Sequence, residues 1–310
     1  MRTTVAVLLA LLSFPALADE EYVKGEVAGP LACKAHPENT YAYYLPKAFD
    51  ANRKWPVVFV FDARQRGAFS AELFRDAAET YGWIVASSND THSDVDPGPS
   101  SRAIQAMWRD VQERFPVDLK RVYAAGFSGG AMFGWWFVKG THAAGLIGVG
   151  GRLAQPNDAD VAGFDYYGLA GSTDFNNIET RRIEQKLAKI GANRRVEFFE
   201  GRHGWPPAAY LRRAVEWQEL QAMRHGTRAR DEALIATLFA IDMGEAAAMT
   251  DELLRLRRYE AIARTFDGLT QLDDVRAQIA SLQRSPEVKR LRAEDEKAEK
   301  FEAAHRAQIS

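Results

Sequence analysis

The sequence predicts an α/β protein: a mostly parallel central sheet with helices on both faces, no large cap, and a C-terminal all-helical extension. Three observations carry this reading. Short apolar runs alternate with helical patterns from about Tyr41 to Phe199. The run Val57-Val58-Phe59-Val60-Phe61 is continuously apolar, as strands buried on both faces require. After about Ala208 the strand signals stop and the composition turns to Ala, Glu, Leu and Arg.

The first segment reads as a leader. Met1-Arg2-Thr3-Thr4 is followed by the apolar run Val5 to Leu12, then Pro15, Ala16-Leu17-Ala18 and the acidic stretch Asp19-Glu20-Glu21. A basic start, a short apolar core and an A-x-A end describe a signal peptide cleaved near Ala18. The run is too short to span ~30 Å of hydrocarbon. The expectation is an exported protein, periplasmic or extracellular, with no membrane span after the leader is removed.

The central elements follow in order. Val57 to Phe61 is a strand, Ala68 to Tyr81 a helix ended near Gly82, and Trp83 to Ser87 the next strand. Asn89 to Ser100, with Pro97, Gly98 and Pro99, reads as a polar loop. Ser101 to Phe115 is a helix with Ile104, Met107, Trp108 and Val111 on one face. Arg121 to Ala125 is a strand, Ala131 to Val138 a helix, and Leu146 to Val149 and Tyr166 to Ala170 are strands. Ile178 to Ile190 is helical and Arg195 to Phe199 closes the sheet.

In the extension, Asp231 stands as a cap before Leu234, Leu238 and Ile241. A second helix carries Leu253, Leu254, Tyr259, Ile262 and Phe266, stopping at Gly268. Val275, Ile279 and Leu282 share one face, and Ser285-Pro286-Glu287 starts a last, mostly charged helix. The division is thus 1–18 leader, 19–225 α/β domain and 226–310 helical extension. Paired amphipathic helices give the extension a tetratricopeptide-like character without a clean repeat. It either covers the α/β domain or serves a protein partner or self-association.

Composition narrows the function. Of 310 residues 46% are apolar and 26% charged, which excludes disorder as the main state. Forty basic against 42 acidic residues leave a formal charge of −2, so no nucleic-acid partner is expected. The one cysteine, Cys33, excludes an intrachain disulfide framework and a thiolate-built zinc site.

Gly126-Phe127-Ser128-Gly129-Gly130 lies between a strand and a helix. This is G-x-S-x-G in its strand–turn–helix setting, which exposes a serine hydroxyl at the carboxyl end of a sheet. Such a serine needs a base, and the base an orienting acid. Of the histidines downstream, only His203, in Gly201-Arg202-His203-Gly204-Trp205-Pro206, follows a strand. Asp174, in Gly171-Ser172-Thr173-Asp174-Phe175-Asn176, directly follows the penultimate strand. The reading is Ser128 as nucleophile, His203 as base and Asp174 as acid. Backbone donors for an oxyanion would be Gly129 N–H and a second N–H from Asp62-Ala63-Arg64-Gln65-Arg66-Gly67, either Ala63 or Arg64. Phe127, Trp205 and Tyr167 are candidates to line the site, and Arg64 and Arg66 to meet an anionic group. Only Gly150 to Asp165 separate two strands where a cap could insert, so an open site is expected.

These segments resemble the α/β-hydrolase superfamily, with most likeness to secreted esterases of the polyhydroxybutyrate depolymerase and feruloyl esterase kind and some to dienelactone-hydrolase-type proteins. The resemblance covers roughly residues 40–225. It implies a serine hydrolase of carboxylic esters, small or polymer-linked, acting through an acyl-enzyme with no cofactor and no metal. Two departures stand out. Such families usually carry His-Gly where this chain has Asp62-Ala63, and the dienelactone hydrolases place a cysteine where Ser128 stands. The alternatives are a catalytically impaired hydrolase-fold binding protein that docks a partner through its helical extension, or a peptidase on the same fold.

Overall fold

A computed structural model describes residues 22–93, 95–153 and 163–309. The leader expected at Met1 to Ala18, and most of the segment where a cap could insert, lie outside the described residues. The strands are β1 (Val27–Ala32), β2 (Thr40–Tyr44), β3 (Trp55–Asp62), β4 (Ile84–Ser88), β5 (Val117–Phe127), β6 (Gly145–Val149), β7 (Asp165–Gly171) and β8 (Arg194–Phe199). They form one sheet in the order β1-β2-β4-β3-β5-β6-β7-β8. From β4 to β8 every pairing is parallel, while β2 runs antiparallel to both β1 and β4.

Alternation along the strands builds two cores. In β3, Val57, Phe59 and Phe61 face one layer, Val58 and Val60 the other, as a period of two dictates. The first layer holds α2 (Pro97–Arg114), α3 (Gly129–Thr141) and α4 (Asn177–Lys189). The second holds α1 (Gly67–Tyr81) and α5 (Ala208–Arg224). Gly82 ends α1 in the left-handed conformation at φ 71°, where an L side chain is disfavoured.

Three elements differ from the sequence reading. Residues 97–100 are helix rather than loop, because Asp96 accepts a hydrogen bond from Gly98 N at 3.0 Å and Pro97 occupies the first turn, a good helix start. The reading also did not separate β1 and β2. β1 is half exposed, carries Pro30 and shifts register between Ala28 and Leu31, so its pattern is weak.

The extension comprises α6 (Glu232–Ala248), α7 (Glu252–Thr265), α8 (Asp273–Arg284) and α9 (Pro286–Ile309). Asp231 caps α6 by accepting from Leu234 N at 3.0 Å, and Asp251 caps α7 by accepting from Leu254 N at 2.9 Å. Leu253, Leu256, Tyr259, Ile262, Phe266 and Val275 form a third core, which Leu220 and Met223 of α5 complete. Helix α5 therefore serves both units, and Trp217 Nε1 donates to Thr265 Oγ1 at 3.1 Å across them. A buried ion network adds to this join. Arg195 of β8 donates to Glu197 (2.9 and 2.6 Å) and to Asp242 of α6 (2.7 and 2.9 Å). Arg258 of α7 donates to Glu197 at 2.6 Å, to Asp242 at 2.7 Å and to Glu245.

Cys33 is buried and unpaired. Burial, with the Asp110 carboxylate second, pushes its thiol up to about 12, which leaves it unreactive. Among the described residues no helix is long and apolar enough to cross a membrane.

Candidate active site

The site is built at the carboxyl ends of β3, β5, β7 and β8. β5 ends at Phe127 and α3 begins at Gly129, so Ser128 is the single residue of the turn. It sits at φ 57°, ψ −121°, a strained conformation of the kind that clusters at functional sites. Two glycines make the turn possible. A Cβ at Gly126 would lie 2.1 Å from Gly130 O, and one at Gly130 would lie 1.9 Å from Phe61 O.

His203 Nε2 lies 3.0 Å from Ser128 Oγ, and His203 Nδ1 lies 3.0 and 2.9 Å from the two oxygens of Asp174. The three residues foreseen as nucleophile, base and acid thus form one continuous hydrogen-bonded chain. The Asp174 side chain is 0% exposed and that of His203 15%. Asp174 Oδ1 also accepts from Asn176 N at 2.7 Å. Asn176 Nδ2 donates to Gly150 O at 2.7 Å, so Asn176 ties the acid loop to the end of β6.

The acid and base loops are fastened to each other. Ser172 N donates to Phe199 O at 2.7 Å, and Thr173 donates to Gly201 O through both N and Oγ1 at 2.9 Å. Phe127 is 2% exposed, with its ring 4.7 Å from that of His203. It supports the imidazole from behind. Phe175 is 62% exposed with its ring 4.2 Å from His203. Sequence reasoning passed over Phe175 and Asn176, although both are immediate neighbours of the acid.

The two candidate N–H groups in the loop after β3 differ in their surroundings. Arg64 N donates to Asp62 Oδ1 at 2.7 Å, so that N–H is committed inside the loop. Ala63 is left. Its carbonyl accepts from Ser93 N at 3.2 Å, and its nitrogen lies beside Gly130 at the start of α3. Gly129 N opens α3, where helix N–H groups have no intrahelical partner; the Ser93 side chain packs on Gly129 so closely that a Cβ there would lie 2.4 Å from Ser93 Cβ.

Asp62 is the residue whose part the sequence concealed. Its side chain is 0% exposed. It accepts from Arg66 Nε at 3.2 Å and Nη2 at 2.8 Å, from Trp205 Nε1 at 2.7 Å and from Arg64 N. Burial alone would raise this carboxyl, but the Arg66 and Trp205 hydrogen bonds, then Arg64 N and the Arg66 charge, outweigh it and hold it below its ordinary value. Trp205 therefore links the base loop to the loop after β3, with its ring 5.9 Å from Phe127 and 6.2 Å from Phe74. Arg66 is consumed by the Asp62 pair, while Arg64 is exposed.

Tyr167 corrects the reading. It is 0% exposed, inside the second core, and packs edge-on to Trp217 at 5.6 Å. It lies four residues before the end of β7 at Gly171. At about 3.3 Å per residue that is too deep in the sheet to reach the rim. Among the described residues no group of His, Cys, Asp or Glu could hold a metal ion.

No family model matches the chain, and no curated protein matches it. Solved structures do. A truncated carbohydrate esterase from gut microbiota superposes with a TM-score of 0.51 at 14% identity, covering 67% of this chain and 99% of that one. FphF, a fluorophosphonate-binding serine hydrolase of Staphylococcus aureus, gives 0.48 at 14% identity over 57% of this chain and 91% of its own. Thermogutta terrifontis esterase 2 gives 0.48 at 15% identity over 66% and 96%. By its sheet order and its likeness to the first of these, the chain has the α/β-hydrolase fold.

Proposed function

We propose that this protein is a serine hydrolase of carboxylic esters. The observation that carries the reading is the chain of hydrogen bonds from Ser128 Oγ through His203 to buried Asp174, mounted on a turn at positive φ.

In this reading Asp174 accepts from His203 Nδ1–H and fixes the tautomer whose Nε2 takes the Ser128 proton. The Ser128 alkoxide attacks the ester carbonyl, and the oxyanion that forms is held by Gly129 N–H and Ala63 N–H. His203 returns the proton to the departing alcohol, leaving an acyl-enzyme. Water, deprotonated by the same imidazole, releases the acid and restores Ser128. Phe127 beneath the imidazole, and Asp62 through Trp205, keep the base loop in register.

The test is turnover of short p-nitrophenyl esters by the purified chain, beside the Ser128→Ala and His203→Ala variants. Loss by roughly 10⁴-fold in each is expected. Equal rates in wild type and Ser128→Ala would overturn the assignment. The leader pattern Met1 to Ala18 supports an exported enzyme; N-terminal sequencing of the secreted product should begin at Asp19.

A further inference from the structure

Away from Ser128, a cleft of about 570 Å³ lies between β8 and α4 on one side and α7 on the other, with seven arginines and four glutamates among its lining residues. That volume is in the range of small-molecule sites. Most of the arginines are spoken for. Arg195 and Arg258 belong to the buried network, Arg213 pairs with Glu245, and Arg257 pairs with Asp295. Arg181 Nε donates to Asn177 Oδ1 at 3.1 Å, with its guanidinium over the Phe198 ring.

Arg194 and Arg264 are different. Neither has a carboxylate within salt-bridge distance among the described residues; Arg194 Nη1 reaches only the Ala192 carbonyl, at 3.1 Å. The Nε atoms of both are buried without a hydrogen-bond partner. Burial, followed by the Arg264 charge, holds the Arg194 guanidinium below its ordinary value, and Glu184 opposes this only in part. The two Nε atoms have no surface that a ligand could touch, but two half-buried guanidinium groups that face one space without a carboxylate partner repel each other, which costs free energy. A bound anion removes that cost. A phosphate dianion matches two positive charges that Glu184 offsets only in part, and guanidinium forks bind phosphate oxygens in pairs. The cleft is larger than one phosphate needs, and Tyr210, Met249, Leu254 and Ala261 provide surface for an organic body.

We propose that this cleft binds a phosphate group, free or carried by a small monoester, held by Arg194 and Arg264 at a site separate from Ser128. The fold places one of these arginines at the start of the last strand and the other on α7. Occupancy therefore clamps the helical extension against the sheet.

The test is calorimetric titration of the full chain at constant ionic strength with inorganic phosphate and, separately, with glycerol 2-phosphate. Saturable binding is expected with at least one probe. It should weaken tenfold or more in Arg194→Gln and in Arg264→Gln and be unchanged in Ser128→Ala. Tighter binding of glycerol 2-phosphate marks an organic ester as the ligand; equal or tighter binding of inorganic phosphate marks the free ion. No saturable heat with either probe, or unaltered affinity in both arginine variants, would overturn the proposal. Thermal unfolding in phosphate-free buffer adds a second readout. Removing one of two like charges should leave Tm equal or higher, and added phosphate should raise Tm in wild type only. A lower Tm of both variants in that buffer would contradict a mutually repelling pair. Ester turnover is independent of this outcome, because neither arginine touches the triad.

Discussion

The carboxylate of Asp62 has no exposed surface, yet it collects donors from its own loop and from Trp205 in the base loop. Asp62→Asn keeps the shape but turns one acceptor into a donor facing Arg66 or Trp205. A loss of about 1–3 kcal/mol in urea unfolding is expected, with kcat falling more than KM rises. Because the folded carboxyl sits below its ordinary value, its contribution is present above the unfolded carboxylate pKa and disappears as pH falls through the folded one. Acid titration of stability in wild type against Asp62→Asn checks the sign. Gly150 gives a second residue-scale prediction. It has φ +52°, and a Cβ there would lie 2.7 Å from Asp174 Oδ2 and 3.2 Å from His203 Nδ1. Gly150→Ala should cut kcat by about 10²-fold with a small change in KM, measured by steady-state kinetics. The hydrogen-bonded arrangement of Ser128, His203 and Asp174 was legible in the sequence because each member sits in a short motif tied to a strand end. Asp62 was not, because its partner Trp205 is distant along the chain and the contact exists only once two loops meet. Tyr167 was misjudged for a related reason: proximity to the acid in sequence says nothing about depth along the strand.

Among the elements, the central strands were read from their continuous apolar runs, since burial on both faces leaves no polar alternation to interpret. The edge strand β1 escaped, since half-exposed residues and Pro30 erase that signal; β2, which lies between β1 and β4 and is buried from Tyr41 to Tyr44, was not separated from it. The start of α2 escaped because Pro97-Gly98-Pro99 resembles a loop, although Asp96 before a proline is also a cap. Between β8, α6 and α7 lies the ion network of Arg195, Glu197, Asp242 and Arg258. Nothing local announces it, as Asp242 and Arg258 are far in sequence from Arg195 and Glu197. Asp242→Ala removes an acceptor shared by both arginines and should destabilise by about 3–5 kcal/mol, read from denaturant midpoints. Burial alone would raise Glu197, but Arg195, Arg258 and Arg213 outweigh it and hold the group down at about 2. Its stabilisation is therefore complete above the unfolded glutamate range and lost as pH falls toward that value.

For the molecule as a whole, the helical extension was visible as a change of composition, but its attachment was not. Helix α5 contributes Leu211, Ala214 and Val215 to the sheet's core and Leu220 and Met223 to that of the extension. Deleting residues 226–310 uncovers these last two and leaves Arg195 and Glu197 without Asp242 and Arg258. A fall in Tm of about 10 °C or more is expected, by calorimetry. The near-neutral total charge conceals a local excess in the arginines gathered beside α7. The proposed chemistry rests on Ser128 being a nucleophile activated by His203. The most direct measurement is covalent labelling of the purified chain with a fluorophosphonate probe, read as an intact-mass shift in wild type and in Ser128→Ala. Stoichiometric labelling of wild type and none of the variant is the result this geometry predicts; an unlabelled wild type, or equal labelling of both, would contradict it.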